Sequence, residues 1–145
     1  MRFALVTLVV VASLLFVNPT QARNTLHQLP IADVLNNPDY AAQLEGVKFY
    51  FGNQPHPEVV KSFGQDRTNK KTNAFGKSDD EACQWVMLSA LLQLKQRADQ
   101  LGANAVINIK SNYKNNLTSS ETEYTCGAGA IMSGVALVGD FVLIE

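Results

Sequence analysis

Two cysteines, Cys83 and Cys126, are the residues of this chain with the most constrained chemistry. An even number of cysteines in an oxidising compartment favours a disulfide, and two cysteines allow only one pairing. Closing a loop of about 44 residues stabilises a fold by roughly 4 kcal/mol in the chain-entropy description. A redox pair, a metal-binding pair and two buried thiols are the alternatives, but the chain has no C-x-x-C motif. We therefore predict a structural disulfide.

The stretch Gly76-Lys77-Ser78 looks like the end of a phosphate-binding P-loop. A P-loop has the form G-x-x-x-x-G-K-[ST], and the position of its first glycine is Lys71 here, a bulky residue where the backbone must turn tightly. The segment before it is polar, whereas a P-loop follows a buried strand. Because Ser78 is followed three residues later by Glu81, a capping box accounts for the same residues. We predict a helix cap and no nucleotide cofactor.

Metal and catalytic sites have few candidate residues. The chain has two histidines, His27 and His56, which we expect in or near proline-containing loops, and neither G-x-S-x-G nor H-E-x-x-H occurs. Asp79 and Asp80 are accounted for by a helix N-terminus, where negative charge is stabilised. We predict no catalytic, cofactor or metal site. If the domain were metal-responsive, these two histidines and two aspartates would be its candidate ligands.

A second glycine-rich stretch, Gly127-Ala128-Gly129, begins like a dinucleotide-binding fingerprint. Met132 stands where that fingerprint requires its third glycine, and no helical pattern follows. We expect a bend of small residues between two strands.

The first 22 residues have the anatomy of a secretory signal peptide. Arg2 gives a positive start, residues 3–17 form an almost unbroken apolar run, and residues 20–22 end in a small-x-small cleavage sequence. About 15 apolar residues are fewer than the roughly 20 of a membrane-spanning helix, which disfavours a retained anchor. We predict cleavage between Ala22 and Arg23 and a periplasmic or secreted protein. No cysteine near the cut could carry a lipid, so we expect no membrane anchor after cleavage.

The remaining residues, 23–145, are enough for a single domain and too few for two. Without Arg2 they contain 11 Lys and Arg against 13 Asp and Glu, which gives a net charge of −2. The one basic doublet, Lys70-Lys71, lies among Asn and Thr in a predicted loop. Since no basic stripe is available to neutralise phosphates, we expect no nucleic-acid partner.

The first half of this domain is divided into short elements. Residues 29–46 predict two short helical pieces separated by an Asn-Pro pair. Residues 47–51 and 59–63 alternate as strands, and the proline-rich turn between them predicts a hairpin. Residues 65–76 are polar without a period, so we expect a loop there.

A long helix is predicted from Ser78, its N-cap, to Gly102, which would adopt the left-handed conformation that closes a helix. Cys83 should lean toward the core, and we also expect Trp85 in the core because large aromatic residues near helix starts usually pack. The apolar stripe of this helix recurs mostly every three or four residues and consists of Val86, Ala90, Leu91, Leu94, Ala98 and Leu101.

Three strands are predicted after the helix, at residues 105–113, 121–128 and 135–144. Ile107 and Ile109 alternate with polar residues, which predicts one solvated face, and an Asn-Asn pair marks a hairpin turn after the first strand. Tyr124 and Cys126 share a face on which Cys83 could meet its partner. The fold class expected is α+β: an antiparallel sheet with one long helix packed on one face, plus short N-terminal helices.

Residues 29–35, 68–78 and 101–109 resemble short exported bacterial proteins commonly labelled "excinuclease ATPase subunit". That label implies a DNA-repair ATPase, but this sequence lacks an intact P-loop, zinc-finger cysteine pairs and the length of such an enzyme. At a weaker level, the helix–strand segment at 101–106 is similar to YbjQ-like domains and to the Rcs sensor lipoprotein. These resemblances imply a small α+β module with a sensing or assembly role, although the lipid-bearing cysteine and extra disulfide of that sensor are missing.

The sequence thus predicts an exported, non-enzymatic domain that binds an unidentified protein or small ligand in the cell envelope. An envelope-stress or metal-responsive sensor is the second hypothesis, and an uncharacterised hydrolase is the third. A homo-oligomer is a further candidate state, because a YbjQ-like sheet implies ring assembly.

Overall fold

A computed structural model of the chain describes residues 23–145, so the predicted leader and its end at Ala22 lie outside the described residues. No helix in this described part is long and apolar enough to cross a membrane. The elements in chain order are β1 (Thr25–Pro30), α1 (Ala32–Leu35), α2 (Pro38–Ala41), a 3₁₀ turn (Ala42–Leu44), β2 (Lys48–Phe51), β3 (Val59–Asn73), α3 (Asp79–Leu101), β4 (Ala105–Tyr113), β5 (Asn116–Thr118), β6 (Glu123–Ala128) and β7 (Met132–Ile144).

Strand β7 organises the sheet. β3 runs antiparallel along one edge of β7, while β6 and β4 share the other edge. β1 pairs with β6, and both β2 and β5 pair with β4. All of these pairings are antiparallel except β2–β4, which is parallel. The predicted α+β class and largely antiparallel sheet are confirmed, and the parallel pair is the exception.

The predicted hairpin between residues 47–51 and 59–63 is wrong, although both segments are strands. β2 pairs with β4, and β3 pairs with the far edge of β7. The connection of residues 52–58 therefore crosses the ends of two strands, a distance of about 14 Å at ordinary strand spacing. Seven residues containing two prolines can span that distance, whereas a hairpin between adjacent strands needs only a tight turn.

The predicted loop at residues 65–76 is also wrong, because its first nine residues continue β3. They pair with β7 without interruption from Gln65 to Asn73, and this run includes the doublet Lys70-Lys71. Within β3 only Thr68 is buried. A strand at a sheet edge is held by backbone hydrogen bonds and needs no apolar face, so it lacks the hydrophobic alternation by which strands are recognised.

Helix α3 begins and ends where its sequence predicts. The Ser78 hydroxyl accepts a hydrogen bond from the backbone N–H of Glu81 at 3.1 Å, and Gly102 closes the helix with φ +78°. The apolar stripe is buried except at Leu101, which is half-buried, and it joins one core cluster with side chains of β4, β6 and β7. The largest fully buried members of that cluster include Met87, Leu91, Leu94, Ile109, Leu137 and Phe141.

Trp85 is not in the core, since 51% of its side-chain and backbone surface is exposed. It follows Cys83 by two residues, which at 3.6 residues per turn places it about 200° around the helix. Cys83 faces the core, so Trp85 must face solvent. Position on the helix outweighs the general tendency of aromatic residues to be buried.

A bulge in β4 changes which faces its isoleucines occupy. Asn108 has φ +53°, and the pairing of β4 with β7 shifts between Ile107 and Lys110. Ile109 consequently lies in the main core, whereas Ile107 packs on the other face against Val142. The expected solvated face on this strand is therefore interrupted by a second, small apolar cluster.

The hairpin turn after β4 lies one residue earlier than its Asn-Asn pair suggests. Lys114 and Asn115 adopt φ +50° and +63°, and Tyr113 pairs with Asn116 across the turn. Two consecutive left-handed residues are the signature of a type I′ turn, whose twist matches that of the strands it joins.

Candidate functional site

The two cysteines meet in the core. Their sulfur atoms are 2.03 Å apart, their Cα atoms are 5.9 Å apart, and both side chains are fully buried. Cys83 lies near the start of α3 and Cys126 lies in β6, so the predicted disulfide joins the helix to the sheet. The burial of both sulfur atoms suits a structural bridge, since reactive cysteines are partly exposed.

The residues of the P-loop-like stretch serve the start of α3. Ser78 is the N-cap, Gly76 has φ +74° in the turn before it, and the Lys77 ammonium donates to the backbone carbonyl of Asn73 at 3.0 Å. Lys71, at the position of the missing glycine, lies within β3. The stretch therefore turns the chain from a strand into a helix.

The four candidate metal ligands do not converge. His27 contacts Asp79, whereas His56 lies in the turn after β2, with its Nδ1 2.8 Å from the carbonyl oxygen of Pro57. Asp80 is exposed. Across residues 23–145 no three His, Cys, Asp or Glu side chains are arranged to hold a metal ion.

His27 does not lie in a loop, as its neighbouring proline suggested, but in β1, where it pairs with Cys126. From there its Nε2 donates to the Asp79 carboxylate at 2.9 Å. Arg23 donates to both oxygens of the same carboxylate at 2.9 Å and to the carbonyl of Gly129 at 2.9 Å. We call these three residues the Arg23–Asp79–His27 cluster.

The cluster is electrostatically matched. The hydrogen bonds from Arg23, and then those from His27, hold the pKa of Asp79 well below its usual range, although desolvation opposes them. The hydrogen bond to Asp79 raises the pKa of the Arg23 guanidinium. Because the cluster is partly solvated, it acts mainly as a clasp that ties β1 to the start of α3 and to the β6–β7 turn.

An apolar depression adjoins this clasp. It has a volume of about 390 Å³ and is lined by Arg23 and the turn from Gly129 to Met132. Ile131 is 66% exposed, and its carbonyl accepts a hydrogen bond from Ala74, next to the exposed Phe75.

Tyr124 is the one buried titratable side chain of β6. It is 1% exposed, and its hydroxyl has no hydrogen-bond partner within the described part of the chain. Burial, together with the charges of Asp33 and Asp80, raises the pKa of this phenol above its usual range. Tyr124 therefore stays neutral and packs as an aromatic core residue.

A groove crosses the face of β7 opposite the side chains that pack with α3. It consists of two adjoining depressions, of about 340 and 120 Å³, that share Arg67 and Asn112. Ala136 and Val138 of β7 form its floor. We call it the outer groove; its remaining lining residues are Gln65, Asp66, Thr68, Asn69, Lys110, Lys114, Asn115 and Leu117.

The sheet register sets the spacing of the cations in the outer groove. Arg67 of β3 and Lys110 of β4 both pair with Val138, so they stand on either side of the floor. Two strand spacings separate their backbones by about 10 Å. Lys114 in the hairpin turn supplies a third cation, held over the Tyr113 ring with its nitrogen 5.7 Å from the ring centroid.

The three cations of the outer groove have no carboxylate partners. Four ion pairs occur within residues 23–145, and none includes Arg67, Lys110 or Lys114. Two carboxylates lie nearby. Asp66, in the groove lining, accepts hydrogen bonds from the backbone N–H of Arg67 at 2.8 Å and from the Arg97 side chain at 3.2 Å, and Asp140 accepts from Gln65 and Asn108, each at 3.3 Å. The groove thus combines unpaired positive charge with amide side chains that can donate and accept hydrogen bonds.

Sequence reasoning missed the outer groove because its cations come from separate segments. Arg67 and Asn69 lie in the stretch predicted as a loop, and Lys110 follows an unpredicted bulge. The alternation of Arg67, Asn69 and Lys71 with Thr68 and Lys70 is present in the sequence. It has no apolar contrast, so only the pairing with β7 shows which of these residues share a face.

We compared the chain with known families, curated proteins and solved structures. No family model matches the chain. No curated protein matches it either. The chain is similar to the crystal structure of a protein of unknown function from Pediococcus pentosaceus that belongs to the DUF74 family, with 15% sequence identity and a TM-score of 0.44 over 70% of this chain and all of that one.

Proposed function

We propose that this protein is an exported, non-enzymatic binding domain of the cell envelope, and that the outer groove binds a small anionic ligand. The observation that carries the proposal is the set of three unpaired cations around a shallow floor. Carboxylates and phosphates share the features that this groove would recognise, namely negative charge and several acceptor oxygens.

Export is supported from two sides. Residues 1–22 have the charged, apolar and small-residue regions of a signal peptide. The Cys83–Cys126 disulfide in the core agrees with an oxidising compartment, where such bonds persist. Both features favour a periplasmic or secreted location.

Binding without catalysis is supported by the chemistry of the groove lining. Arg67 offers a planar guanidinium that can hold a carboxylate or phosphate through two hydrogen bonds, and Lys110 and Lys114 add point charges. Asn69 and Asn112 can hydrogen-bond the polar remainder of a ligand. The described lining has no His, Cys or Ser, and its Thr68 and Asp66 side chains are hydrogen-bonded to Gln93 and Arg97 of α3.

The architecture also favours a binding role for this face. We infer that α3 covers one face of the sheet, since its buried residues join the core with β4, β6 and β7. The opposite face is then free for a ligand. A rigid sheet with a bridged core would hold the cations in fixed positions, which lowers the cost of ordering them on binding.

The binding test is a titration of the domain 23–145 with inorganic phosphate and, separately, glucuronate, followed by two-dimensional amide NMR. We expect saturable shifts in the lining strands, and affinity about tenfold weaker in Lys110→Gln, because a hydrogen bond to a charged group contributes about 1.5 kcal/mol or more. Lys95→Gln is the matched control, since Lys95 pairs with Asp99 on the surface of α3. Shifts that do not saturate, or that respond equally to both substitutions, would contradict the proposed site.

Export is tested separately by expressing the full chain in a Gram-negative host and determining the N-terminus and mass of the product. We expect periplasmic protein that begins at Arg23 and lacks free thiols. A product that keeps residues 1–22 in the membrane fraction would contradict export while leaving the groove unaffected.

A further inference from the structure

The far edge of β3 is an open strand edge. Within residues 23–145 β3 pairs with β7 alone, so its other edge has backbone groups without a strand partner. From Gln65 to Asn73 the pairing with β7 runs without a register shift. We call this nine-residue segment the open edge. A regular strand with unpaired N–H and C=O groups is a template for pairing with another strand.

The open edge differs from the first part of the same strand. Between Val59 and Gly64 the pairing with β7 is interrupted by two register shifts, and Gly64 has φ +93°. Bulges of this kind turn an edge away from external strands. The open edge has neither a bulge nor a proline, so its protection depends on its charged side chains alone.

Two charges on the open edge lie on the same face. Thr68 hydrogen-bonds to Gln93 of α3, and Asp66 accepts a hydrogen bond from Arg97 of the same helix at 3.2 Å. Because strand side chains alternate, Lys70 shares this face with Thr68 and Asp66. An acidic and a basic residue therefore stand at equal distances on either side of Thr68.

We propose that the open edge pairs antiparallel with the open edge of a second copy of this chain, around a two-fold axis at Thr68. In that register Asp66 of each copy lies opposite Lys70 of the other, which makes two opposite-charge pairs. Residues directly opposite in an antiparallel pair have Cβ atoms about 4.5–5.5 Å apart, close enough for these side chains to interact.

The neighbouring symmetric registers are disfavoured by charge. An axis at Asp66, Arg67, Lys70 or Lys71 places that charged residue opposite its own copy. An axis at Asn69 places Arg67 opposite Lys71 twice. Like charges directly opposite each other destabilise a strand pair. Axes nearer the ends of the open edge, at Gln65 or Thr72, pair at most three of its residues. Charge and length of overlap together thus favour the axis at Thr68 and a closed, two-fold dimer with a continuous sheet.

This inference is independent of the ligand proposed for the outer groove. The Arg67 and Asn69 side chains of the groove point to the other face of β3 from Lys70, which does not line the groove, although Asp66 belongs to both the groove lining and the open edge. The dimer would place the grooves of the two copies side by side on one face of the joined sheet. Lys70→Asp should therefore weaken the dimer without weakening ligand binding, and Lys110→Gln should weaken ligand binding without weakening the dimer.

The test uses sedimentation velocity and light scattering on the disulfide-bonded domain 23–145 at up to about 1 mM, because an interface made by one strand pair is small and its dimer weak. We expect a concentration-dependent dimer for the wild-type protein. Lys70→Asp and Asp66→Lys, each alone, should weaken self-association at least tenfold, since each creates like-charge pairs. An equal mixture of the two variants should restore the dimer, because every cross-strand pair in the mixed species is again opposite in charge.

Lys71→Asp is the matched control. It changes the charge of the strand by the same amount but lies opposite Gln65, so the dimer should persist. Circular dichroism and thermal melting of each variant show that the domain stays folded, and recovery in the mixture shows the same for the variant chains. A wild-type protein that is monomeric at every concentration, or a mixture that stays monomeric, would overturn the proposal.

Discussion

Helix α3 and strand β3 both lie against β7, but different forces hold them there. α3 has nine buried residues and is joined to β6 by a disulfide, whereas β3 has one buried residue in fifteen. Apolar burial and a covalent bond hold the helix, and backbone hydrogen bonds to β7 hold the strand. The two elements therefore divide the sheet: the helix side forms the core, and most side chains of β3 stay exposed, with Thr68 and Asp66 hydrogen-bonded to α3.

The largest expected effect on stability comes from a cavity-forming substitution in the core beneath α3. Leu91→Ala removes a side chain with no exposed surface and should lower the free energy of unfolding by about 2–5 kcal/mol, measured by urea denaturation. Val60→Ala on β3, where Val60 is 62% exposed, should change it by less than about 0.5 kcal/mol. Equal losses for the two substitutions would show that β3 contributes to the core as α3 does.

The next largest effect concerns the disulfide that joins α3 to β6. Replacing both Cys83 and Cys126 with Ala should lower the free energy of unfolding by about 2–4 kcal/mol, since the bridge restricts the unfolded chain. Adding a thiol reductant to the wild-type protein should destabilise it comparably and leave the double variant unchanged. A melting temperature that does not respond to either treatment would mean that apolar packing alone holds α3.

A smaller effect tests packing on the outer face. A Cβ on Gly127 would lie 2.1 Å from the Tyr113 ring, so the ring occupies space that any larger residue at this position would need. Gly127→Ala should cost about 1–3 kcal/mol through overpacking. In a Tyr113→Ala background the same substitution should cost much less, and this double-mutant cycle measures the coupling. If the two substitutions lowered the free energy of unfolding additively, the packing contact between Gly127 and the Tyr113 ring would be contradicted.

The smallest effect concerns the clasp between β1 and α3. Because the pKa of Asp79 is lower in the folded than in the unfolded protein, its contribution to stability is present above the unfolded pKa of about 3.9 and is lost as pH falls below it. Asp79→Asn should therefore flatten the fall in urea midpoint between about pH 5 and pH 2. Asp80→Asn, one residue along the same helix turn, is the matched control. If the urea midpoints of wild type and Asp79→Asn depended on pH in the same way, the charge of Asp79 would not contribute to stability.

Sequence reasoning succeeded where burial determines structure. The long helix was recognisable because Leu91 and Leu94 repeat at helical spacing, and its ends were recognisable because Ser78 and Gly102 have local backbone roles. The disulfide followed from cysteine number and the predicted export. The short N-terminal helices followed from the Asn-Pro pair, where the Asn37 side chain accepts a hydrogen bond from the N–H of Asp39.

Sequence reasoning failed where backbone pairing determines structure. Residues 65–73 were expected in a loop because they carry no apolar alternation, yet they pair with β7 along their whole length. β1 was missed for the same reason, and with it the contact of His27 with Asp79. Trp85 was wrongly expected in the core because it is aromatic, whereas its position on α3, about 200° from Cys83, places it on the exposed side.

Elements with local signals can be read from the sequence alone: the bounds of α3, its apolar stripe, its caps and the pairing of its cysteine. The neighbours of β3 and the two faces of β4, and hence the outer groove and the open edge, become visible only in the folded chain. The physical reason is that every residue except proline offers the same N–H and C=O to a sheet. Strand pairing between distant segments therefore depends on the strands that surround them, and a polar edge strand acquires its structure and its contacts from β7.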